Sequence, residues 1–149
     1  MPGEAFRWMR RIKAVEREYE AIRFSADRLL AALDTDPANF AGEIKRHDVA
    51  TAAANLEATY IIRVLSEFES ALQHFVRASG KARPQGAKAL VNRVAARGRI
   101  PDAQTDAVHQ VRELRNVLVH QHAQPVARLT IRQATGGLCT FLSRVQRIW

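Results

Sequence analysis

The fold is decided by residues 48–78, DVATAAANLEATYIIRVLSEFESALQHFVRA, the strongest periodic signal in the chain. Ile61, Leu65, Phe68, Leu72 and Phe75 recur at steps of four, three, four and three, with Leu56 and Tyr60 leading in, so a single apolar stripe runs down one helix. Asp48 is placed to cap its start and Gly80 to stop it. At roughly 45 Å such a helix is long enough to be the spine of a bundle. Its other side carries Arg63, Glu67, Ser70 and His74 at steps of four, three and four. Two readings of that side stay open. Arg63 and Glu67 pair with each other along a solvated face, or one of them meets a polar face of another helix.

Working outward, residues 4–33 place Phe6, Met9, Ile12, Val15, Tyr19, Ile22, Leu29 and Leu30 at helical spacing, which predicts one long helix, with a break near Phe24-Ser25 as the alternative. Asp34-Thr35-Asp36-Pro37 ends it, and residues 38–46 read as a short helix or a structured loop. On the other side, residues 81–84 form a basic connector. Pro84 then opens a helix to about Arg97, with Ala87, Leu90, Val91 and Val94 inward and Gly98 as its stop. A turn at Arg99-Ile100-Pro101-Asp102 launches a fourth helix to about Gln121, with Asp102 and Asp106 set against its dipole. Pro125 forces residues 122–128 into a loop, and Thr130 caps a last helix with Ile131, Leu138, Phe141, Leu142 and Val145 inward. Gly136-Gly137 falls inside that pattern at a cost of roughly 1 kcal/mol per Gly against Ala, which predicts a bend or a close backbone, close packing being the expected outcome. Neither repeats nor low-complexity segments occur. The expectation is a single domain, residues 1–149, forming an all-α, up-and-down helical bundle of four to five main helices.

Composition agrees. A chain of 149 residues holds one core, and its 7 Gly and 5 Pro are too few for a turn-rich β fold. The single Cys139 excludes a disulfide within the chain and a cysteine zinc knuckle. No apolar run has signal-sequence length or approaches the roughly 20 residues of a membrane span, so a soluble cytoplasmic protein without membrane partners is expected. The net charge of +8 is unevenly placed. Residues 1–76 balance at −2 and residues 77–149 at +10, and between Arg77 and Pro101 stand Lys81, Arg83, Lys88, Arg93, Arg97 and Arg99 without an acid. Such a field draws polyanions, and segregation of this kind points toward nucleic acid rather than a merely solubilising surface.

The fourth helix carries the candidate site in Leu114-Arg115-Asn116-Val117-Leu118-Val119-His120. Asn116 and His120 share a face one turn apart, and Arg115, about 100° round, reaches over on its long stem. The face runs back through Glu113 and His109 at steps of three and four, a polar seam opposed to the apolar stripe of Val108, Val111, Leu114 and Leu118. At the helix C-terminus the negative end of the dipole favours a protonated His120.

An Arg, a polar residue, three variable residues and a His, here Arg115, Asn116 and His120 flanked by Val111-Arg112-Glu113-Leu114 and Leu118-Val119, resembles the motif of the HEPN superfamily of helical nucleases. The resemblance implies a HEPN-like helical domain, a metal-independent endoribonuclease leaving a 2′,3′-cyclic phosphate and a 5′-hydroxyl, and a homodimer paired through the motif helix. It also implies service as a toxin or antiphage effector, with an antitoxin or nucleotidyltransferase partner. Polar residues of the facing helix often border such a site, which favours Arg63 or Glu67 meeting the seam.

From the residues themselves, metal chemistry lacks a His-Glu-x-x-His or a close acidic pair in the basic half, and no cofactor motif such as a Gly-rich phosphate loop is present. No Ser stands in a Gly-framed turn. What remains is phosphoryl transfer on RNA, with His120 carrying the proton, Arg115 on the phosphate and Asn116 orienting His120 or donating to a phosphate oxygen. His109, Glu113, Arg63 and Glu67 are read as supporting residues, and Lys81, Arg83, Lys88, Arg93 and Arg97 as RNA-binding. Two other readings stand beside it. One is a non-catalytic HEPN-like module that binds RNA or nucleotide or dimerises, the other a bundle whose basic half binds nucleic acid nonspecifically.

Overall fold

A computed structural model describes residues 3–40, 42–120, 126 and 128–149. Among these the chain is all-α, with α1 at Glu4–Thr35, a 3-10 turn at Pro37–Phe40, α2 at Arg46–Ala78, α3 at Ala87–Gly98, α4 at Asp102–His120 and α5 at Ile131–Val145. No described helix is long and apolar enough to cross a membrane.

The predicted stripe of α2 is the spine of the core. Ile61, Leu65, Phe68, Leu72 and Phe75 are all buried, and the Phe68 ring meets Phe141 of α5 edge to face at 5.5 Å. From α1 come Ile12 and Val15, from α3 Leu90, Val91 and Val94, from α4 Val108, Val111 and Leu114, and from α5 Ile131, Leu138, Phe141, Leu142 and Val145. Burying these stripes against one another, rather than helix propensity, stabilises helices of this length.

The longest contact is between α1 and α2, which run antiparallel, with Tyr19 beside Tyr60 and Trp8 beside His74. Gln104 of α4 accepts from Arg144 of α5 at 3.3 Å, and Arg132 at the start of α5 pairs with Glu20 of α1 at 3.2 Å, so α4 and α5 continue the alternation. The short α3 departs from it. Arg93 Nη1 donates to Ala82 O at 2.7 Å, so the connector climbs back along α3, and α3 descends in the same sense as α2 before the turn into α4.

Helix α1 is the single long helix expected, unbroken through Phe24-Ser25, and its Phe6 and Ile22 are 57% and 47% exposed. Several other local expectations need correction. Asp48 is not the cap of α2. The helix starts two residues earlier, with Lys45 at the cap and Asp48 in the first turn, where its carboxylate still favours the positive end of the dipole. Helix α3 begins at Ala87 rather than Pro84. It ends with Arg99 in the left-handed region at φ 46° and a bond from Ile100 N to Ala95 O of 2.9 Å. Gly98 is the last helical residue and is small for a steric reason, since a Cβ there would sit 3.1 Å from Ile100 Cγ1 and 3.3 Å from Ile148 Cδ1. Gly136 and Gly137, by contrast, have no close backbone near them. A methyl at Gly136 meets nothing within 4 Å, one at Gly137 meets only Ala107 Cβ at 3.7 Å, and α5 runs through both. Thr130 caps α5 as expected, accepting from Gln133 N while the Gln133 side chain accepts from Thr130 N.

Candidate functional site

Helix α4 positions the candidate residues by its own amphipathicity. With Val108, Val111 and Leu114 locked in the core, rotation about the helix axis is fixed, and Arg115, Asn116 and His120 are carried to the rim. Arg115 and Asn116 are half-buried and His120 is exposed. Arg115 Nη1 donates to Asn116 Oδ1 at 3.2 Å, so the guanidinium folds over onto the Asn116 side of the helix, where His120 follows one turn on. An arginine has five N–H donors, so one bond to an amide leaves most of its fork for an anion.

The seam runs partly as expected and partly elsewhere. Glu113 is exposed, whereas His109 is turned against α3. Its Nε2 lies 2.7 Å from Asn92 Oδ1 and its Nδ1 3.1 Å from Arg112 Nη1. Because guanidinium N–H groups only donate, Nδ1 is the acceptor and Nε2–H donates to Asn92, which defines the tautomer. Burial pushes the His109 pKa below the ordinary imidazole value, Arg112 and Lys88 lower it further, and Asp106 and Glu113 oppose them. His109 is thereby a neutral link from α3 to the Arg112 guanidinium, and Arg112, Asn116 and His120 succeed one another at steps of four along α4. Neither Asn92 nor Arg112 was selected from sequence. The i+4 spacing from Arg112 to Asn116 was there to be read, but nothing local ties Asn92 to a histidine 17 positions later.

Arg63 and Glu67 lie away from this site. Arg63 Nη1 is 2.6 Å from Glu18 Oε2 and Arg11 Nε is 2.9 Å from Glu67 Oε2, so both α2 residues pair across to α1. The pairing within α2 and the contact with the α4 seam are both replaced, because the antiparallel α1–α2 packing presents an opposite charge opposite each of them. Hydrogen bonding to Glu18 raises the Arg63 pKa further.

Lys81, Arg83, Lys88, Arg93 and Arg97 are all exposed, on the connector and on α3. They divide by direction. Lys88 stands one turn from Asn92 on the side facing α4, and Arg93 and Arg97 lie about 100–140° round on the side facing the end of α2. Beneath the motif on its apolar flank is a cleft of about 580 Å³ between α2 and α4, bordered by Leu114, Val117, Leu118, Glu57 and Arg128. Cys139 is buried, and burial raises its thiol pKa, which makes it inert at neutral pH. Among the described residues no group of three or more His, Cys, Asp or Glu is placed to hold a metal ion. His122, Gln121 and the loop at 122–125 lie outside the described residues.

Fold and site together define the class, an all-α bundle with an Arg–Asn pair and a solvent-facing His on one helix rim, with exposed cations on the neighbouring α3. Comparison with family models, with curated proteins and with solved structures finds no match for this chain.

Proposed function

We propose that the protein is a metal-independent endoribonuclease of HEPN type, acting as a toxin or antiphage effector. One observation carries the reading, the Arg115 guanidinium folded onto Asn116 on the helix rim that presents His120 to solvent. The concentration of positive charge in residues 77–149 supports it.

In this scheme Arg115 binds a non-bridging oxygen of the scissile phosphate through its free N–H donors and neutralises charge that grows as phosphorus becomes five-coordinate. His120 as general base takes the proton of the ribose 2′-hydroxyl, O2′ bonds to phosphorus, the P–O5′ bond breaks and O5′ is protonated. Products are a 2′,3′-cyclic phosphate and a 5′-hydroxyl. Asn116 holds the guanidinium in place. One histidine does not serve as base and acid in the same step, so His120 of a second copy, paired across α4, supplies the second role. Lys88 and Arg112 extend the cationic surface beside Arg115 and bind flanking RNA. A cell holding such an enzyme needs a restraining partner, an antitoxin or a nucleotidyltransferase.

The test is cleavage of labelled RNA in EDTA by the purified protein and by His120→Ala. Cleavage lost in the variant, with DNA of the same sequence left intact for want of a 2′-hydroxyl, supports the reading. Equal cleavage by both proteins rejects it. RNA binding without cleavage in either, abolished by salt, points instead to a non-catalytic binding module.

A further inference from the structure

At the end of the bundle where α2 stops and α3 descends, a cleft of about 500 Å³ opens over an apolar floor of Phe75, Val76 and Val94. Its lining also holds Lys81, Arg93, Arg97 and Ser79 and no carboxylate, Glu4 lining the adjoining cleft on the far side of Arg97 and Ser79. Among the described residues none of these three cations makes an ion pair. The ion pairs seen among the described residues belong to Arg7, Arg11, Arg23, Arg46, Arg63 and Arg132, nearly all on the acidic first half. Three unneutralised charges converging on one concave apolar site repel one another, an arrangement that an anion relieves. Two of them are already held. Arg93 donates one N–H to Ala82 O at 2.7 Å and keeps four, and the Arg97 guanidinium lies 5.0 Å from the centroid of the Phe75 ring.

We infer that this cleft is a binding site for a nucleoside phosphate, with Lys81 and Arg93 on the phosphate and the Arg97 guanidinium, backed by Phe75, as the plane on which the base stacks. A planar fork suits a phosphate in two-point contact, a guanidinium laid on an aromatic ring offers a flat cationic surface to a π-system, and the volume lies within the range of small-molecule sites. The cleft is distinct from the Arg115 site. Arg93 and Arg97 face the end of α2, whereas Asn92 on the other flank of α3 faces His109, and Arg115 and His120 lie in the last two turns of α4. The inference does not rest on the nuclease reading.

Titration of the full chain with ADP, followed calorimetrically, tests it. ADP is expected to bind one site per chain, with adenosine and inorganic pyrophosphate each at least tenfold weaker because each supplies half of the contacts. Lys81→Ala and Arg93→Ala are expected to weaken ADP about tenfold each. Arg97→Lys, which keeps the charge and removes the plane, is expected to weaken ADP severalfold and leave pyrophosphate unchanged. Arg115→Ala and His120→Ala are expected to bind ADP as the parent does while losing RNA cleavage, which separates this site from the first. Lys81, Arg93, Arg97 and His120 are exposed and Arg115 is half-buried, and an unchanged circular dichroism spectrum certifies each variant. No ADP binding by the parent at millimolar concentration, or binding lost in Arg115→Ala and kept in Lys81→Ala and Arg93→Ala, overturns the inference. So does binding of a single-stranded oligoribonucleotide at these residues with none of ADP, which identifies a backbone-binding surface.

Discussion

Replacing His109 by Ala removes the link between α3 and Arg112, and the structure sets the size of the effect. Two hydrogen bonds go, Nε2–H to Asn92 and the Arg112 bond to Nδ1. The first lies in solvent, so water re-forms most of it and about 0.5 kcal/mol is lost. The second involves a charged donor and is half-buried, which sets about 1–1.5 kcal/mol. A total near 2 kcal/mol corresponds to roughly 4–8 °C in Tm for a domain of this size. The effect depends on pH in a defined direction. The folded His109 pKa is lowered by burial and by Arg112 and Lys88, so the unfolded chain binds this proton more readily than the native one. The stabilisation from neutral His109 is therefore complete above the unfolded value of about 6.5 and is lost as pH falls through the lower folded value. Urea unfolding of parent and His109→Ala at pH 8 and pH 5 measures it, and the four other histidines cancel in the comparison. The stability gap is expected to be largest at pH 8 and smaller at pH 5. A gap that is constant or widens on acidification refutes the neutral, doubly bonded His109.

Other expected outcomes follow from single contacts. Phe68→Ala empties the centre of the core beside Phe141 and should cost about 3–5 kcal/mol by urea unfolding. Gly136→Ala, in open space on a regular helix, should stabilise by about 0.5–1 kcal/mol, whereas Gly98→Ala drives a methyl against Ile100 and Ile148 and should destabilise by about 1–3 kcal/mol, so equal Tm shifts would contradict the packing described. Arg63→Ala and Glu67→Ala, which break pairs to α1, should leave RNA binding and cleavage within twofold of the parent, measured with labelled RNA.

Much of the molecule was legible from residue order because the information needed was local. Apolar residues at three- and four-residue steps in 48–78 and 131–145 mark helices and their buried faces whatever lies opposite, and Thr130 with Gln133 marks a helix start within four residues. By the same logic Arg115, Asn116 and His120 were placed on one rim before any coordinates, since less than two turns of helix set their spacing. The tertiary structure decided who faces whom. A periodic sequence fixes the angle of a side chain about its own helix but not the neighbour at that angle, which depends on how segments far apart in the chain cross. Arg63 and Glu67 therefore met Glu18 and Arg11 rather than each other or α4, and the seam residue His109 found its partner in Asn92 of α3. Lys81, Arg93 and Arg97 read as a dispersed run of charge along the chain, and only the climb of the connector alongside α3 gathers them over Phe75 as the rim of one cleft.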